Sequence, residues 1–599
     1  MPAPSSPSKT HRDAIKARIQ AQQPHRVTDQ RLRLLLVWLV LFGGLVGLFA
    51  RLIYLQVRAA PFLYTKAQQQ QLGTLPQRTF RYPIVDRRGD ILAKDEPVFR
   101  LFAHPFLFQE QPDAIAKVLA PIVKRSPDNL IKLFKAGKSG IPIGYHLSEV
   151  QADQVRKLHK NGLEITREWQ RVYPQKELTA GLIGYVNTEN QGQAGIEYSQ
   201  QPLLEVDPLP LVISRDGRGK PLPERFPLEP LNANDLTLKL TLDARLQRSA
   251  REALHKKMAE FRARRGTVIA MNVQDGSLLA LASEPSFDPQ RYFEADPALF
   301  KNWAVSDLYE PGSTFKPINI AIALEAGAIT PDSAFHDSGQ LSVGGWPINN
   351  ADNSGHGTLS VTGILEYSSN VGMVLAMQQM QRAPYYDSLK KLGIGQITGT
   401  DLPFETPGQF GDKQQFIDYP IGAATAAFGQ GFSVTPLQMV QLHAAIANGG
   451  KLVTPHVVNG LYNPVGKKVK ALNLIQPRRI FSEKTAAQVQ TMMGSVVQRG
   501  TGKPAQIPGY RLGGKTGTAQ KADRGVYSNA RITSFVATFP LESPKYVVLA
   551  VVDEPQGANA YGSTVAAPVV KSVLETLISL EGIPPSHPQE LAAKPEPPR

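Results

Sequence analysis

The sequence predicts an α+β, multidomain protein carried on a single N-terminal membrane helix, and three observations support that class. Residues 34–50 form a run of seventeen without a charge. A polar, Pro-rich stretch over 208–234 divides the rest into two segments, each long enough for its own core. In the second segment two alternating strands precede a helical middle and three more follow it, the pattern of an antiparallel sheet covered by helices.

The apolar run resumes after Arg51 with Leu52-Ile-Tyr-Leu55, so a transmembrane helix is expected over 34–56. Arg51 would snorkel at its outer edge. Ahead of it Lys9, Arg12, Lys16, Arg18, Arg26, Arg31 and Arg33 face only Asp13 and Asp29, which by the positive-inside rule makes 1–33 a basic cytoplasmic tail. Leu48-Phe-Ala50 lacks a small-x-small cleavage pattern, so the anchor is expected to stay and the chain after 57 to be exported.

A first exported domain, 57–235, reads as mixed and loop-rich. Val85-Asp-Arg-Arg-Gly-Asp-Ile-Leu92 is strand, Asp/Gly turn and strand, and helical patches follow over 112–123 and 147–159. A second domain, 236–582, opens with an amphipathic helix over 242–262, where Leu246, Ala250, Leu254 and Met258 recur every four residues. Strands over 267–272 and 278–283 join through Gln274-Asp-Gly276, a hairpin signal. Later strands are expected over 510–520, 532–539 and 546–552, then a closing helix over 563–580. The Pro- and charge-rich tail, 583–599, reads as disordered.

Composition narrows the function. The chain has 599 residues, 42% hydrophobic, and a net charge of +15, but its basic residues are spread rather than striped, so membrane and anionic wall polymer explain the charge without nucleic acid. Cysteine is absent, which excludes a thiol nucleophile and any thiolate metal site. The eleven histidines show no metal-ligand spacing, and a lone one such as His356 reads as a loop residue. There is no dinucleotide or phosphate-binding fingerprint, so no cofactor or metal is expected.

Three short motifs carry the chemistry: Ser313-Thr-Phe-Lys316, Ser368-Ser-Asn370 and Lys515-Thr-Gly-Thr518. Singly they are cheap, since Ser-x-x-Lys recurs at Ser6 and Ser388 and Lys138-Ser-Gly140 mimics the third. Only Ser313 combines a Pro311-Gly312 entry, a following apolar helical run, a later Ser-x-Asn and a Gly-flanked Lys-Thr-Gly. A serine hydroxyl is a poor nucleophile and needs a base, and Lys316 lies on the same helix face. From a reference pKa of about 10.4 only ~0.04% of a lysine is neutral at pH 7, so Lys316 must be depressed; three units require roughly 4 kcal/mol. Burial and a second cation, Lys515, expected to stay protonated, would supply it.

Ser368 would then relay a proton, and Asn370 would orient Lys316 and the substrate's peptide group. Lys515-Thr-Gly-Thr518 reads as a strand whose neighbours Gly513, Gly514 and Gly517 let substrate backbone lie alongside. Pro317 cannot donate one turn back, which would leave the carbonyl of Ser313 free.

These motifs resemble those of class B penicillin-binding proteins, and the resemblance runs from the anchor to residue 582. Glu310-Pro-Gly-Ser-Thr-Phe-Lys-Pro317, Ala427-Phe-Gly-Gln-Gly431, Thr435-Pro-Leu-Gln438 and Asn448-Gly-Gly450 are similar to its transpeptidase segments. Arg81 through Gly89, Arg171-Val-Tyr-Pro174 and Gly195-Ile-Glu197 are similar to those of its non-catalytic, dimerisation-like pedestal, although Tyr82 and Arg88 stand where Gly and Asn are usual. The resemblance implies a penicillin-binding transpeptidase domain with a five-stranded antiparallel sheet flanked by helices. It also implies D,D-transpeptidation through a Ser313 acyl-enzyme on peptidoglycan stem peptides, with release of D-Ala and inhibition by β-lactams. The backbone N–H groups of Ser313 and Thr518 would form the oxyanion hole, and Thr516, Gly517 and Thr518 would bind substrate, the two hydroxyls reading its carboxylate.

Ser-Ser-Asn-Val-Gly372 with Gly514-Lys-Thr-Gly-Thr-Ala-Gln520 looks most like the septal, division-specific branch. That implies a multi-pass septal glycosyltransferase and other division proteins as partners at the plasma membrane. Alternative outcomes are an elongation-type enzyme, a D,D-carboxypeptidase or β-lactamase, or a β-lactam sensor; the anchor, the pedestal and the intact motifs speak against the hydrolase and the sensor.

Overall fold

The computed structural model describes residues 24–74, 80–206, 212–214, 236–523 and 526–587. Most of the basic tail and the Pro-rich stretch, 212–214 apart, lie outside the described residues.

One compact unit holds the N-terminal helix α1 (Pro24–Ile53), a π-helical turn over Tyr54–Arg58 and helix α2 (Ala60–Gln71). Arg31–Arg58 is long and apolar enough to cross a membrane, and none of it is buried within the protein. Leu34 through Phe49 turn their side chains outward, where only an apolar solvent would cover them. The strand Leu72–Thr74 then pairs antiparallel with Val212–Ser214.

The other unit spans Thr79–Asp207 and residues from Ala233 onward. Its first part carries strands β1 (Ile84–Val85) and β2 (Ile91–Ala103), helices α3 (Pro112–Val123) and α4 (Pro127–Ala136), strand β3 (Ile141–Leu147), helix α5 (Glu149–Lys157) and strand β4 (Leu163–Val172). The helix starts are written locally. Ser126 accepts from the N–H of Asn129, and Ser148 with Gln151 forms a reciprocal capping box. These helices bury Ile115, Leu119, Leu130 and Val155 against Leu101 and Ile143 of β2 and β3.

The motifs of this part converge on one buried ion cluster. Nε of Arg81 lies 2.8 Å and Nε of Arg171 2.7 Å from the two carboxylate oxygens of Glu197, and Arg171 also reaches Asp95 at 3.1 Å. Burial opposes the charge on Arg171, but Glu197 and Asp95 outweigh it and hold its pKa above the usual value. The turn at Arg88 closes despite its unusual residue. Oδ1 of Asp86 accepts from the N–H groups of Arg88, Gly89 and Asp90 at 2.7–2.9 Å, with Gly89 at φ +102°.

The remainder begins with β5 (Thr237–Leu240), α6 (Ala244–Glu260), β6 (Arg265–Asn272) and β7 (Leu278–Glu284). A helical middle follows: α7 (Lys316–Glu325), α8 (Val361–Tyr367), α9 (Asn370–Met377), α10 (Arg382–Lys391), α11 (Pro420–Ala427) and α12 (Pro436–Ala447). Last come β8 (Val458–Tyr462), α13 (Glu483–Gln498), β9 (Gly513–Asp523), β10 (Val526–Phe539), β11 (Tyr546–Asp553) and α14 (Ala566–Glu581).

The central sheet is five-stranded and antiparallel, as the sequence predicts, and its strands run in the order β7-β6-β11-β10-β9. Its inner strands are buried on both faces, so they read as continuous apolar runs. Val268, Ala270, Val548 and Ala550 pack with Leu246 and Leu254 of α6 and Val570 and Leu574 of α14. Ile269, Met271, Val547 and Leu549 face the other way, onto Ile318 of α7, Val440 of α12 and Met493 of α13. Every residue of α12 is buried, which explains its lack of a polar face.

Three expectations change. The hairpin of β9 and β10 extends past Gln520 to Asp523 and resumes at Val526, because Lys521 is paired to Asp553 at 2.9 Å and need not be solvated as loop. β5 lies parallel to β1 and antiparallel to β8, so both sequence segments build one further sheet. The tail is tied down through His587: Ile583 accepts from the hydroxyl of Tyr510, and Ser586 accepts from the N–H of Arg511. The rest of the tail lies outside the described residues.

Candidate active site

Ser313 sits in a single 3₁₀ turn, Gly312–Phe315, that runs directly into α7. That tighter turn lets the N–H of Lys316 donate to the carbonyl of Ser313, so the carbonyl expected to be free because of Pro317 is taken. The turn is held from outside. Gly312 donates to the carbonyl of Gly429 at 2.9 Å, and Glu310 accepts from the N–H of Gly431 at 2.9 Å.

The second motif is a joint between helices. Ser368 is the left-handed C-cap of α8 at φ +58°, and Ser369 is the N-cap of α9, accepting from Gly372 at 2.8 Å. The reversal aims both the carbonyl and the hydroxyl of Ser368 at Lys316. Nζ of Lys316, fully buried, donates to that carbonyl and to Oδ1 of Asn370 at 2.8 Å, and stands 3.3 Å from Oγ of Ser368. Nδ2 of Asn370 donates to the carbonyl of Asn349 at 2.9 Å, which fixes the orientation of the amide. A neutral amine has two N–H groups and one lone pair; two acceptor-only oxygens engage the N–H groups and leave the lone pair for a hydroxyl.

Lys515 lies on β9, the edge of the central sheet, paired with Val536. Its Nζ is 2.8 Å from Oγ of Ser368 and 3.0 Å from the carbonyl of Thr516. The structure thus brings Lys316, Ser368, Asn370 and Lys515 into one hydrogen-bonded group, with Ser313 on the turn that precedes Lys316. Thr516 shares a 2.8 Å hydrogen bond with Thr501, and Thr518 accepts from the N–H of Gly562 at 3.1 Å, which leaves its own O–H to donate.

Gly517 and Gly514 are also required by packing within the protein. A Cβ on Gly517 would stand 2.4 Å from Oγ of Ser534 and 3.0 Å from Thr314 beside the nucleophile; one on Gly514 would meet Phe535 and Val497 at 2.7 and 2.9 Å. Their missing side chains make room for neighbouring protein atoms.

Burial drives the electrostatics. It pushes the pKa of Lys316 well below the ordinary lysine value, the charge of Lys515 pushes the same way, and Asp337 opposes both. Burial also lowers Lys515 to about 7. Lys515 is therefore not the permanently protonated partner expected. The two amines share one buried environment and resist being charged together.

Motif reading misses the groups that hold the Ser-x-Asn joint. Oδ1 of Asn350 accepts from the N–H groups of Asn370 and Val371 at 2.8 and 3.2 Å and from the hydroxyl of Ser369 at 3.3 Å. Both carboxylate oxygens of the buried Asp337 in turn accept from Nδ2 of Asn350 at 2.8 Å. Nothing marks either residue in sequence. His356 lies in a loop, its ring stacked on Tyr367 at 4.6 Å, outside the lysine cluster.

A serine on the short turn that leads into the helix of a buried lysine, with a sheet-edge strand bearing a second buried lysine, is the arrangement a serine acyl-enzyme requires. The chain belongs to the class B penicillin-binding proteins: residues 266–575 match the model of the penicillin binding protein transpeptidase domain and residues 77–202 that of the penicillin-binding protein dimerisation domain. It is 40% identical to the peptidoglycan D,D-transpeptidase FtsI homolog of Mesostigma viride over 93% of this chain and 97% of that one. It is 30% identical to the peptidoglycan D,D-transpeptidase FtsI of Escherichia coli, over 95% and 96%. The crystal structure of penicillin binding protein 3 from Mycobacterium tuberculosis complexed with aztreonam superposes with a TM-score of 0.64 at 25% identity, covering 86% of this chain and 98% of that one.

Proposed function

We propose that this protein is a membrane-anchored peptidoglycan D,D-transpeptidase of the septal type. The observation that carries the reading is the hydroxyl of Ser368, which lies between two buried lysine amines at 3.3 and 2.8 Å.

In the reaction, Oγ of Ser313 attacks the carbonyl of the penultimate D-Ala and its proton passes to neutral Lys316. The N–H groups of Ser313 and Thr518 take up the oxyanion, worth ~3–4 kcal/mol per donor in related chemistry. On collapse the C–N bond breaks, and a proton relayed from Lys316 through Ser368 leaves with D-Ala. The acyl ester on Ser313 then meets an amine of a neighbouring stem. That amine gives a proton back along the same path, the ester bond breaks, and Oγ of Ser313 is reprotonated. Thr516, Thr518 and the partly charged Lys515 hold the substrate's carboxylate, while the backbone around Gly517 pairs with it at the sheet edge. A β-lactam follows the first half and stays.

Labelling with fluorescent penicillin tests this. The parent should be labelled and Ser313→Ala should not; equal labelling of both overturns the assignment.

The anchor and its basic flank support an N-terminus in the cytoplasm and a catalytic domain outside the plasma membrane. Residues 57–235 would then serve as the pedestal and 236–582 as the transpeptidase domain. Likeness to FtsI proteins supports a place at the division septum beside a multi-pass glycosyltransferase. Depletion separates the branches, since long filaments fit division and rounded cells fit elongation.

A further inference from the structure

A cavity of about 260 Å³ lies among the helices of the middle segment, and none of the residues lining it belongs to the three motifs. Val374 and Met377 enter from the far end of α9, Met380 from the turn beyond, Arg382 and Tyr385 from the start of α10, and Ala423 from α11. Most of this lining is apolar. Arg382 is the only charged residue in it, and its Nη1 is buried without a hydrogen-bond partner. Among the described residues the guanidinium makes no ion pair, and no carboxylate lines the cavity. A guanidinium cannot relieve that by giving up its proton, because it stays charged at any physiological pH.

We propose that this cavity is a second binding site and takes a small apolar carboxylate. The carboxylate meets Arg382, and the hydrocarbon body lies against Val374, Met377 and Met380. The volume is that of a fragment rather than a drug-sized ligand. With no second cation in the walls, a monoanion fits better than a dianion such as a phosphate ester. Tyr385 donates its hydroxyl to Asn319 at 3.0 Å, so a buried hydrogen bond ties the cavity wall to the helix that carries Lys316.

The test is saturation-transfer difference NMR on the full chain in detergent, with hexanoate as probe and hexylamine as its charge-reversed control. Hexanoate should bind saturably and hexylamine should not. Binding should persist after a penicillin has acylated Ser313, which separates this site from the active one. Arg382→Met and Ala423→Leu, the second filling the cavity, should each weaken hexanoate at least tenfold while acylating at the parental rate. The comparison with the parent cancels probe held by the micelle. Equal binding of hexylamine, loss of hexanoate on acylation, or undiminished binding by Arg382→Met overturns the proposal. The first two are read on the parent alone, so a variant that fails to fold cannot rescue it.

Discussion

The amine of Lys515 lies 2.8 Å from the hydroxyl of Ser368, closer than the 3.3 Å that separates the same oxygen from Lys316. Among the described residues Ser368 is the one side chain hydrogen-bonded to both amines, so a proton can pass between them through bonds already formed. Removing that oxygen with Ser368→Ala should slow penicillin acylation by ~10²–10⁴-fold, the range for a positioned proton-transfer group. Stopped-flow acylation rates check it, and a loss below tenfold would remove Ser368 from the relay.

The pH dependence follows from the lysines. Below about 7 Lys515 is charged in both folded and unfolded chains and its burial penalty is fully present. Between there and the unfolded value of about 10.4 only the unfolded chain holds the proton, so stability rises with pH, by up to ~1.4 kcal/mol per unit for one such group. Urea unfolding at pH 7 and 9 should show a smaller rise for Lys515→Met than for the parent. In acylation, Lys515→Arg should shift the alkaline limb upward, because the arginine keeps its charge where Lys515 loses it.

Asn350 acts on the site only through the joint it holds. Asn350→Ala strands two N–H groups and a hydroxyl, at a cost of ~1–3 kcal/mol per buried group left unsatisfied. Acylation should fall mainly in its maximal rate rather than in the apparent affinity for penicillin. Asp337→Asn should act in the same direction and more weakly, since one oxygen remains to hold Asn350.

Gly517→Ala places a methyl group against Ser534 and Thr314. Strand and serine turn must separate, so labelling by fluorescent penicillin should drop sharply. Ser534→Ala in the same chain removes the nearest clash and should recover part of it.

Far from the chemistry, Glu197→Gln leaves Arg81 and Arg171 short of a shared counter-charge. Breaking a buried pair in this way costs ~3–5 kcal/mol. Thermal unfolding should show the loss, while folded protein should acylate at the parental rate.

Local motifs made the reacting groups legible, because each lies within four residues and its chemistry is narrow. The strands of the central sheet were legible for a similar reason: Val268 through Met271 and Val547 through Val552 are apolar without interruption. Asp337 and Asn350 were not, since they stand 33 and 20 residues before Asn370, in short strands and turns where the sequence predicts a helical middle, and their role comes from burial. The weakened charge of Lys515 was hidden for the same reason. A sequence shows that a lysine is present but not that it is wholly enclosed. The extra residues of β9 and β10 were missed because Lys521 looks like solvated loop until Asp553 and Glu554 are seen beside it, and Arg531 until its guanidinium is seen over the ring of Tyr561.

β5, at the start of the catalytic segment, is zipped on one side to β1 from the other half of the sequence, and Asp86 accepts from the N–H of Ala244 at the head of α6. A fragment cut at the Pro-rich stretch would begin with one raw margin, exposing Leu238 and a helix start robbed of its acceptor. The halves that sequence separates should melt together, and a truncated enzyme should be the more fragile for its brevity.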